Sequence, residues 1–195
     1  QGLARAAELL AGRYTLVITN VPYLGRGNQC EDLKKHLADH YAAGKFDLAT
    51  AFALRGLSFC EEGTALAQVT QRSWLFQTTY RKLRERLLAT SRWHFLAELG
   101  PGAFETISGE KVSVALLIQS AGAPDAEQTI VGVDVSTQRG EKAIPLVEKA
   151  ARLAGGSGGS LNRVMQAALL DNTGAPITFR PLATLPLLGS VATAQ

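Results

Sequence analysis

The chain has 195 residues, which is enough for one ordinary domain or slightly more. Hydrophobic residues make up 46% of the chain and charged residues 19%, so it can bury a core, and disorder is excluded as the default state. A formal net charge of +3 is compatible with nucleic-acid binding without indicating it. The sequence contains no signal peptide and no apolar run of the ~18 residues that a membrane span needs. We therefore expect a cytoplasmic protein with no membrane partner.

The residue types that most often hold metals or act as nucleophiles are scattered along the chain. Cys30 and Cys60 lie in no CxxC or CxxH pattern, so we expect reduced thiols and no metal site. The three histidines, His36, His40 and His94, are too dispersed to indicate a catalytic set with Ser or Cys. We expect them at the surface or in packing.

Hydrophobic periodicity and turn residues predict an ordered series of helices and strands. In chain order they are a helix over 4–10 ending near Gly12, a buried strand over 14–19, helices over 31–41 and 47–60, a buried strand over 65–70, a helix over 78–89, strands over 93–99, 112–119 and 129–135, and a helix over 141–153. Alternating strands and helices predict an α/β layered sheet. The strand over 112–119 follows its predecessor without an intervening helix, so it should run antiparallel as a hairpin.

The most informative residues are Asn20-Val21-Pro22-Tyr23, directly after the first strand. Ligands of open α/β sheets bind beyond the carboxyl ends of strands. The Asn20 side-chain oxygen and the Val21 carbonyl can accept the two N–H groups of an exocyclic amine, and Pro22 holds Val21 in an extended conformation. Tyr23 offers a flat face for a base to stack on. The opposing interpretation is ordinary turn chemistry, because Asn-X-Pro is common in turns.

This loop resembles the (Asn/Asp/Ser)-Pro-Pro-(Tyr/Phe/Trp) loop of amino-group methyltransferases. Three later segments, DLATAFALRGLSFCEEG, TALAQVTQRSWLFQTTYRKLRERLL and FLAELGPGAFETISGEKVSVALLI, resemble the catalytic motifs of gamma-type adenine-N6 DNA methyltransferases. The likeness runs in order from about Tyr14 to Ile118 and is greatest to the methyltransferases of BREX phage-defence and related restriction–modification systems. It implies the C-terminal half of a Rossmann-like class I methyltransferase sheet, mostly parallel with an antiparallel final hairpin.

The resemblance also implies roles for individual residues. Asn20 and Val21 would take the amine-binding positions, and Tyr23 and Phe104 would stack on a flipped base. Phe52, with Pro22, would contact the methyl donor, S-adenosylmethionine. The opposing interpretation of Phe52 is core packing, and for Trp74 packing is the preferred interpretation.

The implied function is transfer of a methyl group to adenine N6 at specific sites in double-stranded DNA, in phage defence or restriction–modification. Other subunits of a defence system are candidate partners. The same loop type also serves protein-glutamine and RNA methyltransferases, and a non-catalytic fragment that binds DNA or a partner is a further alternative.

Two departures from the family pattern matter. Val21 replaces the first proline of the loop; a backbone carbonyl survives this change, so we do not interpret it as inactivating. The 19 residues before Asn20 lack the Gly-rich turn and the acidic residue through which relatives bind the donor. We therefore expect the chain to begin partway through the catalytic domain, to bind the donor weakly at most, and to be inactive alone.

The predicted organisation has four parts. Residues 1–120 form the partial catalytic domain, and residues 121–154 add a strand and a helix to it. Residues 155–160 are a flexible Gly/Ser linker, and residues 161–195 connect toward a target-recognition region expected beyond Gln195.

One basic cluster has two interpretations. Its members lie on and just after the helix over 78–89: Arg81, Lys82, Arg84, Arg86 and Arg92. They can contact phosphates, but a solvated helix face interleaved with Glu85 is the preferred interpretation.

Overall fold

The structure is a computed structural model that describes residues 2–101, 103, 112–136, 144–154, 161–172, 174, 177 and 179. The predicted Gly/Ser linker at 155–160 and the stacking candidate Phe104 lie outside these residues. The helices are α1 (Gly2–Ala11), α2 (Glu31–His40), α3 (Leu48–Ser58), α4 (Arg81–Thr90), α5 (Leu146–Leu153) and α6 (Gln166–Asp171). The strands are β1 (Tyr14–Asn20), β2 (Cys60–Gln71), β3 (Ser91–Gly100), β4 (Val114–Ala121), β5 (Thr129–Asp134) and β6 (Leu161–Met165).

The strands form one mixed sheet in the order β1-β2-β4-β3-β5-β6. Strands β1, β2, β3 and β5 point the same way, while β4 and β6 run antiparallel to their neighbours. The predicted α/β class and the mostly parallel sheet are confirmed, as is the antiparallel β3–β4 hairpin. The sequence did not predict that β4 would also pair with β2, and so lie between β2 and β3.

The prediction that β1 is buried is wrong for this chain. In the described residues β1 pairs only with β2 and forms one edge of the sheet. The side chains of Leu16 and Ile18 are 54% and 75% exposed. A run of β-branched and apolar residues indicates a strand, but the run itself does not specify whether another layer covers it.

The core lies between the sheet and α4. Trp74 and Trp93 are fully buried, with ring centroids 5.8 Å apart in an edge-to-face arrangement, and the Trp74 indole N–H donates to Thr70 Oγ1 at 3.0 Å. The preferred interpretation of Trp74 as a packing residue is confirmed. Arg84 is also fully buried and donates to the carbonyls of Trp74 (2.8 Å) and Gln77 (2.7 Å), so it does not belong to a solvated face.

Regular structure occurs within the segment that the sequence analysis treated as a connector. Residues 161–172 form β6, which pairs with β5, and α6. The buried Gln166 side chain accepts from Trp93 N–H at 2.8 Å and donates to the carbonyls of Leu88 and Ser91 at 2.7 Å each. One glutamine thus fastens this segment to the junction of α4 and β3. No helix in the described ranges is both long and apolar enough to cross a membrane.

A tight turn at Ala42–Gly44 packs against the first turn of α3 and positions the start of that helix. The Thr50 hydroxyl donates to the Gly44 carbonyl at 2.7 Å. A Cβ atom on Gly44 would lie 2.7 Å from the Thr50 carbonyl oxygen, which is backbone and cannot rotate away. Glycine at this position therefore permits the close approach.

We predict that Gly44→Ala lowers the free energy of unfolding by about 1–3 kcal/mol, because the added methyl group overpacks this contact. Urea denaturation of the two proteins measures the difference. Gly27→Ala is the matched control, since a Cβ atom there would meet nothing within 4 Å. Equal losses in the two variants would contradict the close approach.

Candidate functional site

The Asn20–Tyr23 loop begins where β1 leaves its pairing with β2. Asn20 is the last residue of β1 and is paired with Val69, and the Val21 N–H continues the ladder by donating to the Val69 carbonyl at 3.3 Å. Because β1 and β2 are parallel, the loop lies at the edge of the sheet where both strands have their carboxyl ends. The Val21 side chain is buried (3% exposed), whereas Asn20 and Pro22 are exposed.

The two candidate amine acceptors are available in the structure. Among the described residues, no hydrogen bond involves the Asn20 side chain and none reaches the Val21 carbonyl. Val21 is anchored by its buried side chain and its N–H, and Pro22 restricts its backbone on the other side. The Val21 carbonyl is therefore held in place by its backbone. The neighbouring acceptor, the Asn20 side-chain amide, is exposed and is not held by a hydrogen bond from a described residue.

A buried carboxylate braces the loop against α3. Asp47 is 5% exposed and caps the start of α3, where its Oδ1 accepts from Ala49 N–H at 2.8 Å and from Leu24 N–H at 3.4 Å. The Leu24 carbonyl accepts from Leu48 N–H at 3.0 Å, so the loop and the helix start are joined in both directions. Burial raises the pKa of the Asp47 carboxyl, and the two N–H donors partly oppose this rise.

Tyr23 is half-buried, with its hydroxyl directed inward. In the described part of the chain the buried hydroxyl has no hydrogen-bond partner. Burial and, to a smaller extent, the negative charge of Asp47 raise the pKa of Tyr23 to about 12. The phenol is therefore neutral near pH 7 and cannot serve there as a base.

Phe52 lies on the outer face of α3 with 38% of its surface exposed. The buried side of α3 is formed instead by Ala49, Ala53 and Gly56. The opposing interpretation of Phe52 as a core residue is therefore wrong. Its exposed ring offers a flat apolar face on the helix that Asp47 ties to the loop. For Phe104 the structure provides no placement, since that residue lies outside the described residues.

None of the histidines and cysteines belongs to the Asn20–Tyr23 loop. His36 and His40 stack on exposed positions of α2 with ring centroids 4.6 Å apart, and His94 Nε2 is 2.8 Å from Ser120 Oγ, as expected for surface and packing residues. Both thiols are free. In the ranges that the structure describes, no three His, Cys, Asp or Glu side chains are grouped to hold a metal ion.

Sequence reasoning missed the brace made by Asp47. The signal was present, because Asp at the start of a predicted helix is a preferred N-cap residue. What the sequence could not show is that the same carboxylate reaches Leu24, which precedes it by 23 residues.

We predict that Asp47→Ala lowers the free energy of unfolding by about 1–2 kcal/mol, because the N–H groups of Ala49 and Leu24 lose their acceptor. Asp47→Asn keeps an acceptor oxygen at the cap without the buried charge and should be at least as stable as the unsubstituted protein. Chemical denaturation near pH 7 compares the three proteins. Equal stability of the Ala and Asn variants would contradict the brace.

The pH dependence of the stability difference between the unsubstituted protein and Asp47→Asn provides a further check. The pKa of Asp47 is raised on folding, so the folded state holds this proton more tightly than the unfolded state. As the pH rises above the unfolded-state pKa of about 4 toward the raised value, the unsubstituted protein should lose stability relative to Asp47→Asn. A difference that grows in the opposite direction would show that the carboxylate is favoured by its surroundings.

The family model and the curated relatives that match this chain are all methylases or methyltransferases. Residues 5–104 match the family model of the Eco57I restriction-modification methylase. The chain is 35% identical over 120 residues to the adenine-specific methyltransferase PglX of Lacticaseibacillus casei (strain Zhang), and 38% identical over 106 residues to the adenine-specific methyltransferase BrxX of Escherichia coli O9:H4 (strain HS). These matches cover 60% and 54% of this chain but only 10% and 9% of the two relatives.

The fold matches solved restriction–modification enzymes. A nuclease-deletion mutant of the Type ISP restriction-modification enzyme LlaGI, solved in complex with a DNA substrate mimic, superimposes with a TM-score of 0.61 at 15% sequence identity. The match covers 92% of this chain and 19% of that protein, and at this identity it supports the fold alone. Together with the family model, which spans residues 5–104 and includes the Asn20–Tyr23 loop, these matches confirm the resemblance read from the sequence: the chain belongs to the Eco57I restriction-modification methylase family.

Proposed function

We propose that this chain supplies the base-binding part of an active site that transfers a methyl group from S-adenosylmethionine to adenine N6 in double-stranded DNA, within restriction–modification or phage defence. The observation that carries the proposal is a pair of acceptors at the carboxyl edge of the sheet, Asn20 Oδ1 and the Val21 carbonyl, to which no described residue donates a hydrogen bond. The relatives named adenine-specific methyltransferases favour adenine over a glutamine side chain as the acceptor.

The acceptor pair addresses the main difficulty of this reaction. The lone pair of an exocyclic amine is delocalised into the ring, so the nitrogen is a poor nucleophile. When Asn20 and Val21 accept its two N–H groups, they oppose the delocalisation and stabilise the positive charge that develops on nitrogen as the N–C bond forms. The nitrogen then loses one proton to solvent. Most of the catalysis is positioning and electrostatics.

The target base must leave the duplex to reach these acceptors, since N6 is paired and stacked inside it. The half-buried Tyr23 ring is the stacking surface in this proposal, and its neutral hydroxyl faces away from solvent. Phe104, at the corresponding family position, is proposed to stack on the same base. Stacking a base on an aromatic ring contributes about 1–3 kcal/mol.

Two residues are proposed to touch the donor, which when bound supplies an electrophilic methyl group on its sulfonium. Phe52 fits one side of a purine because its ring is exposed and flat, and Pro22 is exposed beside the acceptor pair. The chain spans about a tenth of the length of PglX and BrxX, so the activity of the whole protein, its donor site and any partner subunits remain proposals. A non-catalytic piece that binds DNA is the alternative.

We predict that Asn20→Ala lowers the yield of N6-methyladenine by about 10²–10³-fold, because one of two preorganised acceptors is lost. Mass spectrometry of DNA treated with the longest natural form of the protein and S-adenosylmethionine measures it. Asn28→Ala is the matched control, since Asn28 is exposed in the same loop segment but is not part of the acceptor pair.

The outcomes separate the alternatives. Methylation that survives in Asn28→Ala and not in Asn20→Ala supports both the adenine substrate and the loop. A folded protein that binds the donor and makes no N6-methyladenine points to a glutamine or RNA substrate. Equal activity of the two variants would remove Asn20 from the site.

We predict that Tyr23→Phe retains the DNA methylation rate within about threefold and leaves the alkaline limb of its pH profile unchanged, because the phenol, with a pKa of about 12, stays neutral near pH 7 and only the ring face is used. Tyr23→Ala should lose at least tenfold, equivalent to about 1.4 kcal/mol of stacking. Steady-state rates across the pH range measure both variants. A large loss in Tyr23→Phe would assign a role to the hydroxyl instead.

A further inference from the structure

A cleft opens between the Ala42–Gly44 turn and the first half of α4, with a volume of about 610 Å³. We call it the basic cleft. Four cations line it, together with two threonine hydroxyls and three apolar residues that include Phe46. The cations are Lys45, Arg81, Lys82 and Arg86. No anion is among these lining residues. Lysine, arginine and threonine side chains are typical donors to phosphate oxygens.

The charges in the basic cleft are incompletely neutralised. Arg81 pairs with Glu85 on the outer surface of α4 at 2.9 Å. In the described residues Lys82 and Arg86 form no ion pair or side-chain hydrogen bond, and both are exposed. They lie four residues apart on one face of a helix, an arrangement of like charges that costs stability. An anion bound between them would reverse that cost.

The cationic side chains of helix α4 point into two different environments. The Arg84 side chain points inward, where its guanidinium donates hydrogen bonds to the carbonyls of Trp74 and Gln77. Lys82 and Arg86 face outward into the basic cleft. The lining residue Phe46 packs against the buried Tyr80, with the two rings edge to face and their centroids 6.2 Å apart.

Hydrogen bonds join the segment that lines the basic cleft to the loop of the candidate active site. The carbonyl of Phe46, a lining residue, accepts from Arg26 N–H at 2.9 Å, and Arg26 belongs to the same loop as Tyr23. The next residue, Asp47, is the brace between that loop and α3. These two backbone and side-chain connections make the cleft a structural neighbour of the loop that holds Asn20 and Tyr23.

We propose that the basic cleft binds the DNA phosphate backbone next to the target base, with Lys82 and Arg86 as its principal cations. The inference rests on the proposed DNA substrate and adds a surface that determines affinity without reading sequence. Phosphate contacts fix the register of a protein on DNA. Here they would hold the duplex while the base occupies the Asn20–Tyr23 loop.

The test uses the full-length protein and direct binding to a fluorescein-labelled DNA duplex of mixed sequence, followed by fluorescence anisotropy. Lys82→Gln and Arg86→Gln should each weaken binding about fivefold at 0.15 M salt, and each should reduce the slope of log K against log salt by about 0.9. The double variant should combine both effects. Arg163→Gln is the matched control, because Arg163 is exposed on β6 at the opposite edge of the sheet.

Each outcome decides the proposal. Affinities and slopes equal to those of Arg163→Gln would overturn it. If α4 variants melt at lower temperature, Lys45→Gln, which is outside the helix, tests the same cleft and should also reduce the slope. Binding is measured without catalysis, so an unsubstituted protein that binds DNA through the cleft yet makes no N6-methyladenine would refute the proposed function and leave the basic cleft standing.

Discussion

The parallel pairing of β1 with β2 is the constraint on which the candidate site depends. Its register runs from Leu16 opposite Ala65 to Asn20 opposite Val69, and the Val21 N–H extends it by one more bond. Pro22 then restricts Val21 from the other side. The backbone of Val21 is thus determined by a strand on one flank and by a pyrrolidine ring on the other. The proposed acceptor at Val21 is a backbone carbonyl and needs no particular side chain, so the proposal is compatible with valine at this position.

Buried polar atoms without a hydrogen-bond partner among the described residues occur both near the loop that leaves this pairing and in the sheet that supports it. Tyr23 Oη, Arg26 Nη1 and Gln29 Oε1 are buried atoms without a hydrogen-bond partner among the described residues. Asp47 keeps a desolvated carboxyl at the same place. Each such group costs stability. The compensating stability comes from the fully buried Trp74 and Trp93 region and from the hydrogen bonds of Gln166.

Sequence reasoning succeeded where the information is local. Apolar periodicity located β1, α3 and α4 to within a few residues, and the missing helix before β4 correctly predicted a hairpin. Sequence reasoning failed where the environment of a residue depends on segments that are distant in the sequence. The exposure of Leu16 and Ile18 depends on what lies beside an edge strand, and the pairing of β4 with β2 joins segments about 50 residues apart. Arg84 and Arg86 are both arginines on one helix, and only the packing separates the structural cation from the exposed one.

The position of β4 also bears on how the chain acquires its structure. Because β4 lies between β2 and β3, those two strands have no direct contact, and the sheet stays in two pieces until residues 114–121 are inserted. During synthesis, β1, α3 and β2 emerge first and can pair through a local crossover, whereas the β3 side must wait for a strand that comes later in the chain. The edges of β2 and β3 stay open during that interval, so β4 is the segment whose delayed arrival most exposes the nascent protein to misassembly.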